Sequence, residues 1–468
     1  MPLPQPPTAR RSSIWMLLLT VLAGCPAPGP SPGAKGSPPP LPGRPLAIAD
    51  LPGCPAPPVV GSARDRSELA ELMDRQTRRT AAARTAFDRW QAEGLPLAYS
   101  ARTDEYLIEG RFVPPRAARA LAMVHVAVHD ALLAAARDQA RYRRGGPWLR
   151  APRLATADVR VSPWRYPSEA AVVAGAWEAI MVSLLPDASA SIVREAAEAV
   201  EAERDLGIST ASDLEAGLAL GREVGARVVR LRAEDGATQP PTGSLVPAPG
   251  RWGHPSAMEP HAGSWRPWWI GLGDRFRLTG IATASEALRT ELEEVRREVE
   301  SLDRFPWKLE QATYWNFDVP AILWSQEARR LLRLRPTSDL VRARVLAELA
   351  TTEADAFISA WDTKYTVLRP RPAMLDSGLQ ARMPFATPPH PSFPSGHAVA
   401  SAAGAWYLSQ VFPAEQRHLN DLANQAAMSR LYAGIHFASD NLAGLDLGKR
   451  VGQSVLEALP EPPPVLRP

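Results

Sequence analysis

From about residue 64 to the C-terminus, apolar residues recur at spacings of three and four, and strict alternation of apolar and polar positions is scarce. The stretch 66–93, "RSELAELMDRQTRRTAAARTAFDRWQAE", is rich in Ala, Arg and Glu with few β-branched residues, which predicts a long helix. A second, 114–140 ("PPRAARALAMVHVAVHDALLAAARDQA"), opens with prolines in its first turn and is apolar thereafter. Further helices are predicted near 168–185, 189–205, 210–234, 284–302, 309–333, 337–363, 395–411, 414–432 and 438–458. The expectation is an all-α fold, a helical bundle. One segment interrupts it: residues 235–282 are irregular and Trp-rich, and a loop of that length in a compact domain acts as a lid or a strap.

The first 63 residues follow other rules. Arg10 and Arg11 precede the short apolar run "IWMLLLTVLAG" (14–24), which ends in "LAGC" (22–25). A positive start and a run too short to span a bilayer comfortably read as a targeting segment, and the ending resembles a bacterial lipoprotein signal, in which the cysteine, here Cys25, carries lipid. Residues 25–63 are rich in Pro, Gly, Ala and Ser and read as an extended tether, leaving 64–460 as the catalytic domain. No other run reads as a transmembrane helix. The chain is therefore expected to be exported and lipid-anchored to the cell envelope, with the folded part in solvent. With Cys25 lipidated, Cys54 has no disulfide partner, and stability must come from the core; left unmodified, Cys25 could bridge Cys54 within the tether.

Charge adds little and excludes one class. A net charge of +3, with acids and bases interspersed, gives no nucleic-acid-binding face. Only four of the 53 basic residues are lysine, so a lysine inside a motif is not the default basic residue here. No His, Cys or carboxylate spacing matches a zinc or calcium site.

Three separated pieces carry the chemistry. In "KYTVLRPRP", Lys364 is followed after six residues by Arg371 and Pro372. "PSGH" places Ser395, Gly396 and His397 together. "SRLYAGIHFASD" sets Ser429 and Arg430 ahead of His436 with five residues between Arg430 and His436, and Asp440 lies four positions beyond it. A tetrahedral oxyanion needs fixed positive charge and directed donors. Lys364 offers a point charge at a helix end. Pro370 and Pro372 stop that helix, so Arg371 lies in extended chain and can turn inward. Ser395 and Gly396 open the next helix, whose first N–H groups favour an anion. Arg430 and His436 would diverge by about 240° on a continuous helix; a break at Gly434 lets them converge. Asp440 then lies where it can accept the second ring N–H of His436.

These motifs resemble the signature of the type 2 phosphatidic acid phosphatase and vanadium haloperoxidase superfamily, K-x6-R-P, P-S-G-H and S-R-x5-H-x3-D, at every position. Weaker similarity upstream, in 114–131, 250–267 and "YWNFDVPAILW" (314–324), resembles the soluble bacterial haloperoxidase-like branch. The resemblance implies a helical bundle of the acid phosphatase/vanadium haloperoxidase type and one of two reactions. In the phosphatases, His436 would attack phosphorus to form a phosphohistidine, His397 would protonate the leaving oxygen and later activate water, and no cofactor is needed. In the haloperoxidases, vanadate would occupy the same cradle with His436 as its ligand. His397 would then assist proton transfers, Lys364 would polarise peroxide, and a halide would be oxidised to hypohalous acid. In both, Lys364, Arg371, Ser395, Gly396 and Arg430 bind the anion. Vanadate and phosphate are near-isosteric, so the cradle alone does not separate the two.

The overall resemblance leans toward the haloperoxidase-like branch, and residues nearby add a little. Trp361, three residues before Lys364, matches a fungal-type haloperoxidase site, and His390, five before Ser395, matches algal bromoperoxidases; His390 also fits a turn after Pro388 and Pro389. Asp318 is a candidate partner for an active-site arginine. His254 and His261 are expected to line the cleft, and His125, His129 and Asp130 to pack. The partners expected are peroxide and halide, or a phosphate ester, and a membrane through the anchor. A non-catalytic lipid-anchored binding protein would have lost part of the signature, and none is lost. Oligomeric state is left open.

Overall fold

The computed structural model describes residues 43–77, 80–154, 163–239, 250–279 and 286–467, and among them the regular elements are helical, with one isolated bridge between Gly145 and Trp164. In chain order the helices are α1 (Ala63–Thr77), α2 (Ala81–Gln91), α3 (Leu95–Glu109), α4 (Pro114–Tyr142), single-turn α5 (Pro147–Arg150), α6 (Glu169–Leu184), α7 (Ser189–Asp205) and α8 (Ala211–Ala233). After the Trp-rich segment come α9 (Glu286–Glu300), α10 (Pro306–Phe317), α11 (Pro320–Arg333), α12 (Asp339–Val367), single-turn α13 (Pro372–Leu375), α14 (Gly396–Val411), α15 (Gln416–Tyr432) and α16 (Ala438–Ala458). The all-α expectation holds.

Helices α4 and α12 are apolar around most of their circumference and pack together at the centre. One core cluster joins α4 to α6 and α8, and a second joins α12 to α11, α14, α15 and α16. α4 is long and apolar enough to cross a bilayer by composition, contrary to the expectation that nothing beyond the N-terminal run is, yet 94% of that window is buried inside the protein. Its apolar length is used up on protein neighbours.

Small residues set the approach of the two helices nearest the site. A Cβ at Gly448 would lie 2.1 Å from the Val399 carbonyl oxygen, and one at Gly444 would meet Ser395 O at 2.8 Å. Only glycine allows α16 so close to α14. That closeness lets the Ser395 N–H donate to the Asp440 carbonyl at 3.0 Å, so two signature motifs are joined backbone to backbone.

Three boundaries differ from the sequence reading. The helix expected at 66–93 is two, because Thr80 caps α2 with its side chain on the Ala83 N–H (3.2 Å). The helix expected at 309–333 also divides, at Asp318 and Val319, with Pro320 starting α11. α3 was not expected at all; Gly94 and Pro96 read as breakers but occupy its N-cap and first turn, where both are tolerated.

Within the segment 25–63 expected to be a tether, the part from residue 43 onward packs on the fold. Leu46, Ile48, Leu51 and Cys54 are buried against α4, α6 and α8. Asp130, on α4, accepts the N–H groups of Leu46, Ala47 and Ile48 at 2.8–3.0 Å, and Asp138 accepts that of Cys54 at 2.6 Å. A proline-rich segment can dock this way because two buried carboxylates satisfy the N–H groups it has left. Cys54 is a free, buried thiol, pushed up to about 12 by burial and Asp138. Cys25 and the targeting segment lie outside the described residues.

The Trp-rich segment repeats the device as a strap. Asp355 of α12 accepts the N–H groups of Trp268, Trp269 and Ile270 at 2.7–3.2 Å, while Trp265 and Ile270 are buried in the core.

Candidate anion-binding active site

α12 ends at Leu368, whose left-handed conformation (φ 54°) turns the chain out of the helix, and Arg369–Pro370–Arg371 follows without helical bonding. α14 begins at Gly396 with Ser395 as N-cap, its hydroxyl accepting from the Ala398 N–H (3.5 Å). α15 stops at Tyr432, Gly434 takes a positive φ of 75°, and α16 starts at Ala438. The break expected at Gly434 is present, and Arg430 and His436 converge on one cleft.

His436 is almost fully buried and held between a carboxylate and a guanidinium. Its Nδ1 lies 3.1 Å from Asp440 Oδ2, and its Nε2 lies 3.0 Å from Arg371 Nη1. Arginine can only donate, so Nε2 carries the lone pair and the proton sits on Nδ1, directed at Asp440. Burial, followed by Arg371, Lys364, His397 and Arg430, holds its pKa well below the usual imidazole range. The ring is neutral, with a lone pair available to an electrophilic centre.

Arg371 is enclosed by acceptors: Nε donates to the His390 carbonyl (2.9 Å), Nη1 to the Ile435 carbonyl, and Nη2 faces His390 Nδ1 (3.0 Å). Arg430 donates from Nε to Ser429 Oγ (2.9 Å), from Nη1 to Asn316 Oδ1 (3.2 Å) and from Nη2 to the Ala312 carbonyl (2.7 Å). Neither has a carboxylate in ion-pair contact among the described residues. Burial lowers Arg371 to about 10 against the opposing pull of Asp440 and Tyr365, and burial and Arg371 lower Arg430 to about 9.

His397 donates from Nε2 to the Trp315 carbonyl (2.8 Å), since a carbonyl only accepts, and Nδ1 is left for proton transfer. Burial, then Arg430, holds its pKa well below the usual value. His390 is depressed in the same way by burial and Arg371, and its ring lies 5.0 Å from that of Trp361.

Lys364 does not reach the cleft wall. Its Nζ donates to the carbonyls of Pro391 (2.8 Å), Ser392 (3.1 Å) and Pro394, all in the turn that carries P-S-G-H. Three acceptors require three N–H donors, so it is an ammonium even though burial and Arg371 push its pKa well down. Its charge belongs to the cluster, but its donors hold the turn.

Asp440 is the hub of the charges. Arg369 Nη1 donates to Oδ1 (2.6 Å); Ser392 Oγ (2.5 Å), the Phe437 N–H (3.0 Å) and His436 Nδ1 all face Oδ2. Arg369 also reaches Ser439 Oγ (2.7 Å) and Glu291 (3.2 Å). Arg369, Ser392, Glu291, Asn316 and the Trp315 carbonyl were not anticipated. Arg369 had one visible cue: it stands two residues before Arg371 in R-P-R-P, and residues i and i+2 of extended chain lie on one face.

Two expectations fail. Asp318 lines the cleft but pairs with no arginine among the described residues; Asn316, two residues earlier in α10, takes the contact with Arg430. Burial raises the Asp318 pKa. His254 and His261 do not line the cleft, because the strap reaches it through Met258 instead. His125, His129 and Asp130 pack as expected: Asp130 holds the 46–48 strap and His129, and His125 meets Ser100.

The cleft has a volume of about 380 Å³. His390, Gly396, His397, Arg430 and His436 gather at one part of it, with walls of Phe112, Phe317, Ile322, Phe357 and Trp361. Around His436 stand Lys364, Arg369, Arg371 and Arg430 against Asp440 and Glu291, an excess of two positive charges. Buried charge without counter-charge is costly, and a bound oxyanion removes that cost. The donor set therefore fits phosphate or vanadate. Gly396 completes the fit, since a Cβ there would approach Trp361 to 3.3 Å.

A family model described as the PAP2 superfamily matches residues 345–460, which contain every signature residue. Among solved structures the chain is similar to the first bacterial vanadium-dependent iodoperoxidase, at 22% identity and TM-score 0.64, over 77% of this chain and 95% of that one. It is also similar to a bacterial vanadium-dependent chloroperoxidase in apo form (13%, TM-score 0.51) and holo form (14%, TM-score 0.52), each over 74% of this chain and 92% of that one. No curated protein matches. At these identities the structural likeness is one of fold.

Proposed function

We propose, for a chain whose residues 345–460 carry the PAP2 superfamily domain and whose fold is that of the bacterial vanadium-dependent haloperoxidases, a peroxide-driven oxidation of halide at bound vanadate. The observation that carries the reading is the neutral His436, its Nε2 lone pair set among buried cations that outnumber the nearby carboxylates. Bound vanadate would supply a Lewis-acid centre at which hydrogen peroxide becomes able to oxidise a halide to hypohalous acid.

The chain's own residues would do the rest. His436 Nε2 would hold the metal, released from Arg371 as the anion enters. Arg371 and Arg430 would turn donors from carbonyls and Asn316 toward the oxyanion, and the first N–H groups of α14 would add theirs. Lys364 would fix the P-S-G-H turn and contribute its charge from behind. His397, neutral while the cations are uncompensated, would accept a proton at Nδ1. Once an anion offsets Arg430, its pKa rises and it can return that proton. The His390–Trp361 ring pair beside Arg371 supports the haloperoxidase reading.

The alternative is a phosphatase in which His436 Nε2 attacks phosphorus and His397 protonates the leaving oxygen; the same tautomers support it. Purified protein loaded with orthovanadate should brominate a dye when given peroxide and bromide. Hydrolysis of an aryl phosphate without any bromination would overturn the haloperoxidase reading in favour of the phosphatase. We further propose export and lipid attachment through Cys25; Cys25→Ser should move the protein from the membrane to the soluble fraction, and continued attachment would refute the anchor.

A further inference from the structure

We infer that Met258 is the side chain this protein oxidises in itself: hypohalous acid formed in the cleft converts its thioether to the sulfoxide and ends turnover. The inference rests on the haloperoxidase reading.

Met258 is the point at which the Trp-rich strap meets the site. Its N–H donates to the Pro389 carbonyl (2.8 Å), and its own carbonyl accepts from Trp361 Nε1 (3.2 Å) and the Tyr365 hydroxyl (2.6 Å). The backbone is thus clasped between α12 and the turn that precedes P-S-G-H. The residue lines the same cleft as His390, His397 and His436.

The other sulfurs are placed differently. Met123, Met181 and Met383 are buried in the core, and Cys54 is a buried thiol held protonated. Met73, Met374 and Met428 are 36%, 45% and 37% exposed on the outer surface. Among the described residues, Met258 is the methionine that lines the cleft.

The chemistry closes on itself. The thioether sulfur attacks the halogen of hypohalous acid, and hydroxide leaves; oxygen from hydroxide or water then bonds to sulfur as halide departs. The net change is one thioether and one hypohalous acid to one sulfoxide, one halide and one proton. Sulfur loses two electrons and the halogen gains them. The sulfoxide puts a polar group in a wall shared with Phe357 and Trp361.

The test compares three samples by peptide mass mapping for methionine sulfoxide. Vanadate-loaded protein turns over peroxide and bromide with no organic acceptor; the same protein receives peroxide alone; and vanadate-free protein receives hypobromous acid from bulk solution. Turnover should oxidise Met258 several-fold ahead of Met73, Met374 and Met428, bulk reagent should reverse that order, and peroxide alone should spare Met258. In Met258→Leu, a swap of similar volume, the linear phase of the reaction should lengthen several-fold. If turnover oxidises Met258 no faster than the surface methionines, or peroxide alone oxidises it equally, the inference is wrong while measured bromide oxidation keeps the haloperoxidase reading. Absence of both bromide oxidation and sulfoxide removes both.

Discussion

Replacing Asp440 by Asn keeps the shape of the side chain and removes one charge and one acceptor. Four donors converge on that carboxylate: Arg369 on Oδ1, and Ser392, the Phe437 N–H and His436 on Oδ2. An asparagine has one oxygen to offer. With its NH₂ at the Oδ2 position it would face three donors; with its NH₂ at Oδ1 it would face only Arg369. The second orientation costs least, so the His436 tautomer survives and Arg369 loses its 2.6 Å partner. Breaking a buried pair from one side costs about 3–5 kcal/mol, and Glu291, still 3.2 Å from the other guanidinium nitrogen, puts the loss at the low end, about 3 kcal/mol. That corresponds to a melting temperature lower by roughly 3 °C in a fold of this size. Without the carboxylate, the His436 ring is a weaker ligand, and loss of such an outer partner lowers metal affinity by about 10–100-fold. Thermal unfolding gives the first quantity, and titration of the folded variant with orthovanadate gives the second. A variant that binds vanadate within about twofold of the parent would falsify the role of Asp440 in orienting and polarising His436.

Lys364→Met should destabilise the protein by at least about 3 kcal/mol in urea unfolding, because three buried carbonyls lose their donor; an unchanged midpoint with lost anion binding would mean that the ammonium serves the anion and not the turn. Asp104, buried beside Arg329 (2.6 Å), is raised to about 7, chiefly by burial. Its folded pKa exceeds the unfolded one, so the native state binds the extra proton and stability falls as pH rises from about 4 to 7. Asp104→Asn should flatten that fall, and an unaltered pH profile of urea midpoints would rule the assignment out. His125 works in the opposite sense: lowered to about 3 by burial and then Arg329, it makes stability fall as pH drops below about 6.5. The low-pH loss should disappear in His125→Gln, measured in the same way.

The C-terminal third of the fold was legible because its helix ends are written in local chemistry. Ser395–Gly396 opens α14, Gly434 separates α15 from α16, and Pro370 and Pro372 follow the end of α12, so the residues that start and stop these helices are neighbours in the chain of the signature residues. Helix starts were harder where two cues compete. Gly94 and Pro96 terminate one reading and initiate another, and the choice of α3 was made by burial of Leu97, Tyr99 and Leu107 against neighbours distant in sequence.

What the chain does not display locally is where a charge is spent. Asp130 and Asp355 sit in apolar helical runs and look like interruptions, yet each gathers three backbone N–H groups from an irregular strap more than 80 residues away. A proline-rich or Trp-rich stretch with no hydrogen-bonding pattern of its own folds only if something else accepts its donors. Lys364 and Arg369 make the converse point inside the site. Both are cations in one short motif, but Lys364 meets only carbonyls and Arg369 meets the carboxylate that orients His436. Spacing predicts that such residues come together; it does not say which of them confronts the anion and which holds the frame. Here Arg371 and Arg430, with no carboxylate in ion-pair contact among the described residues, are the two whose charge an oxyanion would answer: Arg430 lines the cleft, and Arg371 lies against His436 and His390, which line it.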